Sequence, residues 1–197
     1  MTFSYGKSTT MQNRLAVFTI ASLTVGCLLG GAPVAFAEER VCRSTIGAVS
    51  LDNVLVPEGR SCTLNGTRLK GTLKVSTGAT LSASGVRVNG NIQAEGARAV
   101  YLNAGPIVGG SIQIKQGGTA RIDRVEVLGD LQLEANSAAV RATDNEVGGN
   151  LQVFQNTGGV TLLRNVIAEN LQCKENTPRP TGGGNIAGSK EDQCARL

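Results

Sequence analysis

A short segment that alternates apolar and polar positions recurs along the chain every 19 or 20 residues. Such alternation predicts a β-strand, and a repeat of about 20 residues is typical of solenoid proteins. The six full copies read Gly71-Thr72-Leu73-Lys74-Val75, Gly90-Asn91-Ile92-Gln93-Ala94, Gly110-Ser111-Ile112-Gln113-Ile114, Gly129-Asp130-Leu131-Gln132-Leu133, Gly149-Asn150-Leu151-Gln152-Val153 and Glu169-Asn170-Leu171-Gln172-Cys173. With a weaker copy at 52–56, the pattern predicts seven stacked coils.

Two more apolar features recur with the same period. A second alternating segment supplies inward pairs, and one apolar residue stands two positions before each copy. The pairs are Cys62/Leu64, Leu81/Ala83, Val100/Leu102, Ala120/Ile122, Val140/Ala142 and Val160/Leu162, and the single residues are Leu69, Val88, Val108, Val127, Val147 and Ile167. Three short strands per repeat predict an all-β, single-stranded parallel β-helix of about seven coils of 19–20 residues, spanning residues 52–176.

Other repeat architectures fit the sequence less well. No unit contains a ten-residue stretch with helical periodicity, and each is punctuated by Gly. A pentapeptide coil needs an apolar residue where Asn156 and Thr161 stand. The period also exceeds the strict coil of about 18 residues of left-handed hexapeptide helices, which favours a right-handed helix. At the corners, the pattern predicts a left-handed backbone conformation for the glycines that open five copies, Gly71, Gly90, Gly110, Gly129 and Gly149.

The first 37 residues read as a signal peptide. Lys7 and Arg14 form a basic start, 15–29 is an almost unbroken apolar run, and Ala35-Phe36-Ala37 provides a small-x-small cleavage signal. An uncleaved membrane anchor and a lipoprotein with a lipobox at 24–27 are the alternatives. The apolar run is short for a membrane-spanning helix, and no polar tether follows Cys27. We therefore expect cleavage after Ala37 and a secreted or periplasmic product that is not held in a membrane.

Cleavage would leave four cysteines, Cys42, Cys62, Cys173 and Cys194, in an oxidising compartment. Cys62 lies in the first coil and Cys173 in the last. A rod of about 30 Å separates them, which exceeds the Cα separation of about 7 Å that a disulfide tolerates. We therefore predict the pairs Cys42–Cys62 and Cys173–Cys194, each fixing an irregular cap, at 38–51 and 177–197. A redox or metal role is the alternative, but no pair has Cys-x-x-Cys spacing.

The composition excludes several classes of function. The chain has no His and no Trp, so Ser-His-Asp and Cys-His nucleophiles and His-ligated zinc are excluded, and we expect no cofactor and no metal. The net charge of +4 falls to +2 without Lys7 and Arg14, because 17 basic and 15 acidic residues remain. With 3% aromatic residues, this charge predicts no nucleic-acid partner.

The repeat unit typified by Gly149-Asn150-Leu151-Gln152-Val153 resembles that of bactofilins and related polymer-forming β-helix proteins. The whole pattern, with cysteines near both ends, resembles small secreted bacterial β-helix proteins of undetermined function. The resemblance extends over about 41–194. It implies a parallel β-helix and, for bactofilins, filament formation. Bactofilins lack a leader and paired cysteines, so these two features depart from the family pattern.

Polar residues on the first strand form a candidate binding face. We call the outward residues Lys74, Gln93, Gln113, Gln132, Gln152 and Gln172 the Gln row, and the residues two positions earlier the corner row, Thr72, Asn91, Ser111, Asp130, Asn150 and Asn170. A ladder of amides, each bonded to the next, is the structural interpretation. A surface for a cell-envelope glycan, for ice or for another copy of the chain is the functional one. Two series of asparagines, 136/156/176 and 145/165, are expected to form hydrogen bonds with the backbone of neighbouring coils at the turns.

Clustered charges on adjacent coils form the nearest match to an enzyme site. Secreted β-helices that resemble pectin lyases place Asp with Arg or Lys in this way, and here the group is Arg121, Asp123, Arg124, Arg141 and Asp144. Stacked Arg121 and Arg141 repel, and a diagonal Asp123 would offset this repulsion, so a solvated charge network explains the group. The sequence therefore predicts a non-catalytic structural or interaction module of the cell envelope. Glycan binding through the Gln row is the alternative, and a polysaccharide lyase or hydrolase is a remote one.

Overall fold

The chain is an all-β parallel β-solenoid, as the repeat pattern predicts. The computed structural model describes residues 38–197, so the predicted signal peptide, 1–37, lies outside the described residues. Every regular element of 38–197 is a β-strand, and the 24 strands, numbered in chain order, form three parallel sheets. Each coil contributes one strand to each sheet, which gives about eight coils.

Sheet 1 carries the five-residue repeat. Its inward residues stack in direct register, so that Leu73 pairs with Ile92 and Ile92 with Ile112, and all three are fully buried. In order of pairing, its nine strands are β1 (Glu39–Val41), β4 (Asn53–Val56), β7 (Leu73–Val75), β10 (Ile92–Glu95), β13 (Ile112–Lys115), β16 (Leu131–Glu134), β19 (Leu151–Phe154), β22 (Asn170–Lys174) and β24 (Ser189–Asp192). The predicted register of the repeat is therefore confirmed.

Sheets 2 and 3 are built from the other two apolar features, and the predicted inward residues of both are buried. The eight strands of sheet 2 are β2 (Thr45–Ile46), β5 (Ser61–Asn65), β8 (Thr80–Ser84), β11 (Ala99–Asn103), β14 (Thr119–Asp123), β17 (Val140–Thr143), β20 (Val160–Leu163) and β23 (Thr181–Gly183). The seven strands of sheet 3 are β3 (Ser50–Leu51), β6 (Arg68–Leu69), β9 (Arg87–Val88), β12 (Ile107–Val108), β15 (Glu126–Val127), β18 (Glu146–Val147) and β21 (Val166–Ile167).

The core is a narrow stack of aliphatic side chains. The buried cluster consists of Leu, Ile, Val, Ala and Cys, whereas Tyr101 and Phe154 are only half-buried on outer faces. Burial of each Leu or Ile side chain contributes about 1.5–3 kcal/mol, and every coil repeats this contribution. A coil of about 20 residues has room for such side chains in direct register, which explains the low aromatic content.

The two segments expected to be irregular caps form strands instead. At the start, β1, β2 and β3 pair with β4, β5 and β6, so 39–51 completes a coil. At the end, β23 and β24 extend sheets 2 and 1, and Ile186 forms a bridge to Val166. These additions explain why the structure has about eight coils rather than seven. Their sequences lack the repeat pattern, so the period alone does not predict them.

The corner glycines are required for a different reason from the predicted one. None of the five adopts a left-handed φ. A Cβ on Gly90 would lie 2.7 Å from the carbonyl oxygen of Gly71, and a Cβ on Gly129 would lie 2.5 Å from Ser111 Oγ. Close stacking of one coil on the next therefore excludes a side chain at this corner. Left-handed residues occur instead at other turns, where non-glycine residues such as Arg124 and Asp144 take φ values of 57° and 54°.

Candidate functional site

The Gln row lies on the outer face of sheet 1, in the predicted register. Each member pairs with the member in the next coil, from Lys74 with Gln93 to Gln152 with Gln172. Lys74 and Gln93 are exposed, and the four later members are half-buried. In the terminal coils, Leu55 precedes the row and Glu191 follows it. The sheet thus displays six predicted residues as one continuous line.

Only the C-terminal end of the Gln row forms an amide ladder. Gln152 Nε2 donates to Gln172 Oε1 at 3.1 Å, and Gln172 Nε2 donates to Glu191 Oε2 at 2.9 Å. The hydrogen bond from Gln172, followed by one from Ser189, lowers the pKa of Glu191. Within residues 38–197, the side chains of Gln93, Gln113 and Gln132 form no hydrogen bond, so the expectation of a complete ladder is wrong there. These three amides remain available to a ligand.

A shallow groove runs along the N-terminal half of the Gln row. It has a volume of about 610 Å³ and is lined by residues that include Leu55, Lys74, Gln93 and Glu95. A second depression of about 250 Å³ begins at Gln93 and reaches Gln113. The groove therefore coincides with the part of the row whose amides are not bonded to one another.

The corner row serves the backbone rather than the surface. Asn91 Oδ1 accepts the Ser111 N–H at 2.8 Å, Ser111 Oγ accepts the Asp130 N–H at 3.1 Å, and Asp130 Oδ1 accepts the Asn150 N–H at 2.7 Å. Asn150 Oδ1 in turn accepts the Asn170 N–H at 3.2 Å. These bonds pair N–H groups at the corner where the chain enters sheet 1. The candidate binding face is therefore limited to the Gln row and does not include the corner row.

Two inner asparagine rows are confirmed as structural elements of the turns. Asn156 is fully buried, its Oδ1 accepts the Asn136 N–H at 3.0 Å, and its Nδ2 donates to Leu133 O at 2.9 Å. Asn165 does the same in the second row with the Asn145 N–H and a backbone carbonyl. The first row is Asn136, Asn156 and Asn176, and the second is Asn145, Asn165 and Asn185. Asn185 is absent from the predicted series, although it stands 20 residues after Asn165. Both rows lie just after left-handed turn residues and satisfy the backbone there.

The predicted charge group forms on the outer face of sheet 2. Arg121 and Arg141 pair directly in neighbouring coils. Asp123 lies between them, with Oδ2 at 2.7 Å from Arg121 Nε and Oδ1 at 3.3 Å from Arg141 Nε. The hydrogen bond to Asp123 raises the pKa of Arg121. The structure thus confirms that one carboxylate offsets the repulsion between two stacked arginines.

A second ion pair continues this group along the turn after sheet 2. Arg164 Nε and Nη2 bind the two oxygens of Asp144 at 2.7 and 2.9 Å. This bidentate hydrogen bond is the main reason why the pKa of Asp144 lies below its ordinary value. Arg164 is absent from the predicted group, although Arg124, Asp144 and Arg164 stand 20 residues apart and the period alone marks it.

Thr143 is a further residue that the sequence pattern does not mark. It pairs with Asp123 across the sheet and is 2% exposed. Its Oγ1 is the one buried side-chain oxygen or nitrogen of residues 38–197 without a hydrogen-bond partner. It lines a depression of about 180 Å³ together with three arginines and two aspartates, Arg121, Arg124, Arg141, Asp123 and Asp144. A buried hydroxyl at a charged depression is therefore left unsatisfied.

Both predicted disulfides form. Cys42 and Cys62 bridge the first two coils with Cα atoms 5.6 Å apart, and Cys173 and Cys194 bridge the last coils with Cα atoms 5.2 Å apart. All four side chains are buried against the core. Two intramolecular disulfides indicate folding in an oxidising, extracytoplasmic environment.

The described chain offers few groups for metal chemistry. Among residues 38–197, no three His, Cys, Asp or Glu side chains are close enough to hold a metal ion together. In the same stretch, no helix has the length and apolar character needed to cross a membrane. Comparison of the chain with protein-family models, curated proteins and solved structures finds no match in any of the three.

Proposed function

We propose that the protein is a non-catalytic, exported β-solenoid that serves as a rigid structural or interaction module of the cell envelope. In this proposal, residues 1–37 are a signal peptide removed after Ala37, and the mature chain displays its sheet faces to envelope components. The two disulfides support export, because structural disulfides are rare in reducing compartments. The resemblance of the repeat to bactofilins raises the question of whether this module polymerises.

The observation that carries the proposal is the charge at both ends of the core. Arg40 in β1 pairs with Val54, and Lys190 in β24 pairs with Leu171. Both charged residues thus occupy the column that is apolar in every coil between them. Both side chains are exposed, and Lys190 Nζ donates to Leu197 O at 2.7 Å. Charged side chains on edge strands are a means of preventing edge-to-edge association. This placement supports a capped rod that works as a single unit rather than a bactofilin-like filament.

Cell fractionation followed by sedimentation velocity of the exported protein tests the proposal. We expect an extracytoplasmic product whose N-terminal residue is Glu38 and which sediments as a monomer with both disulfides intact. Retention of residues 1–37 in a cytoplasmic product would contradict export. Concentration-dependent polymers of the disulfide-bonded wild-type protein would contradict the capped rod.

Binding of a neutral cell-wall glycan by the Gln row is a second candidate. The unbonded amides of Gln93 and Gln113, which line the two depressions on sheet 1, and of Gln132 in the next coil favour it. We expect the triple change of these residues to Ala to abolish retention of the protein on isolated cell-wall glycan. The matched control changes Asn65, Ser84 and Asn103 to Ala, because these polar residues also pair across three coils on sheet 2. Equal retention of both variants would exclude the Gln row as the binding surface.

A further inference from the structure

We propose that the outer face of sheet 2 contains a binding site for the carboxylate of an acidic saccharide, formed by Arg121, Arg141 and Thr143. This site is distinct from the Gln row, which lies on sheet 1. It does not depend on the proposed role in the envelope, because saccharide binding can be measured on the purified chain.

The first argument is the way in which the two arginines are held. Asp123 binds both through Nε, so the four terminal N–H groups of each guanidinium remain unused by that contact. Neither arginine forms another hydrogen bond within residues 38–197. The side chains of Arg121 and Arg141 are 56% and 44% exposed, whereas that of Asp123 is 15% exposed. Two guanidinium groups are therefore fixed side by side with their free ends toward solvent, an arrangement that suits a planar carboxylate.

The second argument is the unsatisfied hydroxyl of Thr143. A buried hydroxyl without a partner is unfavourable, and such groups in native proteins require an explanation. Thr143 lines the same depression as the two arginines. Its Oγ1 can donate a hydrogen bond to a carboxylate oxygen once a ligand enters and the arginine ends shift. A ligand would thus complete a polar site that the free protein leaves incomplete.

The third argument concerns charge and the neighbouring aromatic residue. Arg124 lines the depression and forms no ion pair within residues 38–197. After both lining carboxylates, Asp123 and Asp144, are counted, the three arginines leave one net positive charge, and Asp144 is in addition bound by Arg164. Tyr101 pairs with Arg121 in the adjacent coil and is half-buried on the same face. An aromatic ring with an apolar face can pack against a sugar ring while the arginines bind its carboxylate. This combination favours an acidic saccharide over a free inorganic anion.

Isothermal titration calorimetry of the disulfide-bonded protein with tri-glucuronate tests the inference. We expect saturable binding that weakens with salt, and no binding of the neutral glucose trisaccharide with the same linkage. Changing Arg121 and Arg141 to Gln is expected to weaken binding about tenfold or more. The control changes Arg68 and Arg87 to Gln, because these exposed arginines also pair in neighbouring coils but lie on sheet 3 and form no ion pair with any residue of 38–197. Equal loss in both double variants would show non-specific charge attraction and overturn the proposal.

Two further arms separate a positioned site from a merely positive surface. Asp123→Asn increases the positive charge, so simple attraction predicts tighter tri-glucuronate binding, whereas the proposed positioning role of Asp123 predicts weaker binding. Thr143→Val is expected to weaken binding severalfold with the fold intact by circular dichroism. Tighter binding to Asp123→Asn would overturn the site. Inorganic sulfate bound as tightly as tri-glucuronate would mean an adventitious ion only, and would overturn the assignment to a saccharide.

Discussion

At the scale of single residues, the stack is held by buried amides as much as by aliphatic side chains. An inner asparagine accepts a backbone N–H and donates to a backbone carbonyl of the preceding coil, as Asn156 does with Asn136 and Leu133. No aliphatic residue can replace these bonds, because the backbone groups at the turns would be buried and unpaired. The stacked Asn rows are thus one of the sequence signals with a clear structural meaning.

Asn156→Ala is expected to lower the free energy of unfolding by about 2–4 kcal/mol, because it removes several buried hydrogen bonds at once. Chemical denaturation measures the change. The matched control is Asn103→Ala, an exposed amide on the outer face of sheet 2, for which we expect a change within about 0.5 kcal/mol. Similar losses in both variants would show that the inner row has no special role.

Thr143→Val is expected to act in the opposite direction. It removes the one unsatisfied buried hydroxyl of 38–197 while retaining a β-branched side chain in a strand, so the free energy of unfolding should rise by about 1 kcal/mol. Thr161→Val, at a half-buried outward position in the next strand, controls for strand propensity alone. A gain no larger than that of the control would mean that Thr143 carries no penalty in the folded protein.

At the scale of strands and turns, the sequence predicts the interior of the rod better than its ends and surface. Alternation in the middle coils reflects burial of every second residue, so strands such as Ile112–Lys115 and their register follow from the pattern. The two-residue strand Thr45–Ile46 has no alternation to detect, and it becomes a strand only through pairing with β5. The handedness of the coil stays a prediction.

Surface contacts are less predictable because rotamers decide them. The register places Gln113 beside Gln132, but it does not determine whether their amides bond to each other. The charge group is predictable to the same extent. The period predicts that Arg121 stacks directly on Arg141, but it does not predict that the Thr143 hydroxyl lacks a hydrogen-bond partner. The side-chain hydrogen bonds at the candidate sites therefore follow from the structure and not from the sequence.

The turn that carries Asp144 and Arg164 should make stability depend on pH. The Arg164 hydrogen bond lowers the pKa of Asp144 from its ordinary value of 3.8, so the folded protein favours the ionised carboxylate. This contribution is fully present above pH 4 and is lost as the pH falls through the lowered pKa. We expect Asp144→Asn to melt at a lower temperature than the wild type at pH 7, with the difference narrowing below pH 4. Glu58→Gln, at an exposed site without an ion pair in 38–197, is the control. A difference that stays constant with pH would contradict this account.

At the scale of the whole molecule, a parallel solenoid can extend without limit unless its ends are blocked. Head-to-tail stacking would join β24 of one copy to β1 of the next, and such a contact does not close on itself. Val54 and Leu171 belong to one stack of inward residues on sheet 1, and Arg40 and Lys190 pair with them at its two ends. In a head-to-tail contact, Lys190 of one copy would therefore lie next to Arg40 of the other. Two like charges at the strand spacing of about 4.8 Å repel by about 3 kcal/mol at an effective dielectric constant of 20.

The double variant Arg40→Val/Lys190→Val is therefore expected to form end-to-end polymers, which sedimentation velocity and electron microscopy would detect as rods longer than the wild type. Both changes place an apolar residue where this column of side chains is otherwise apolar, so each terminal strand would present an apolar side chain beside an unpaired strand edge. The control Arg68→Val/Arg87→Val removes the same charge from exposed positions of sheet 3 and should remain monomeric. If the end variant and the control both stay monomeric, features other than these charges block the ends. If both associate equally, exposed valine rather than release of the ends is responsible.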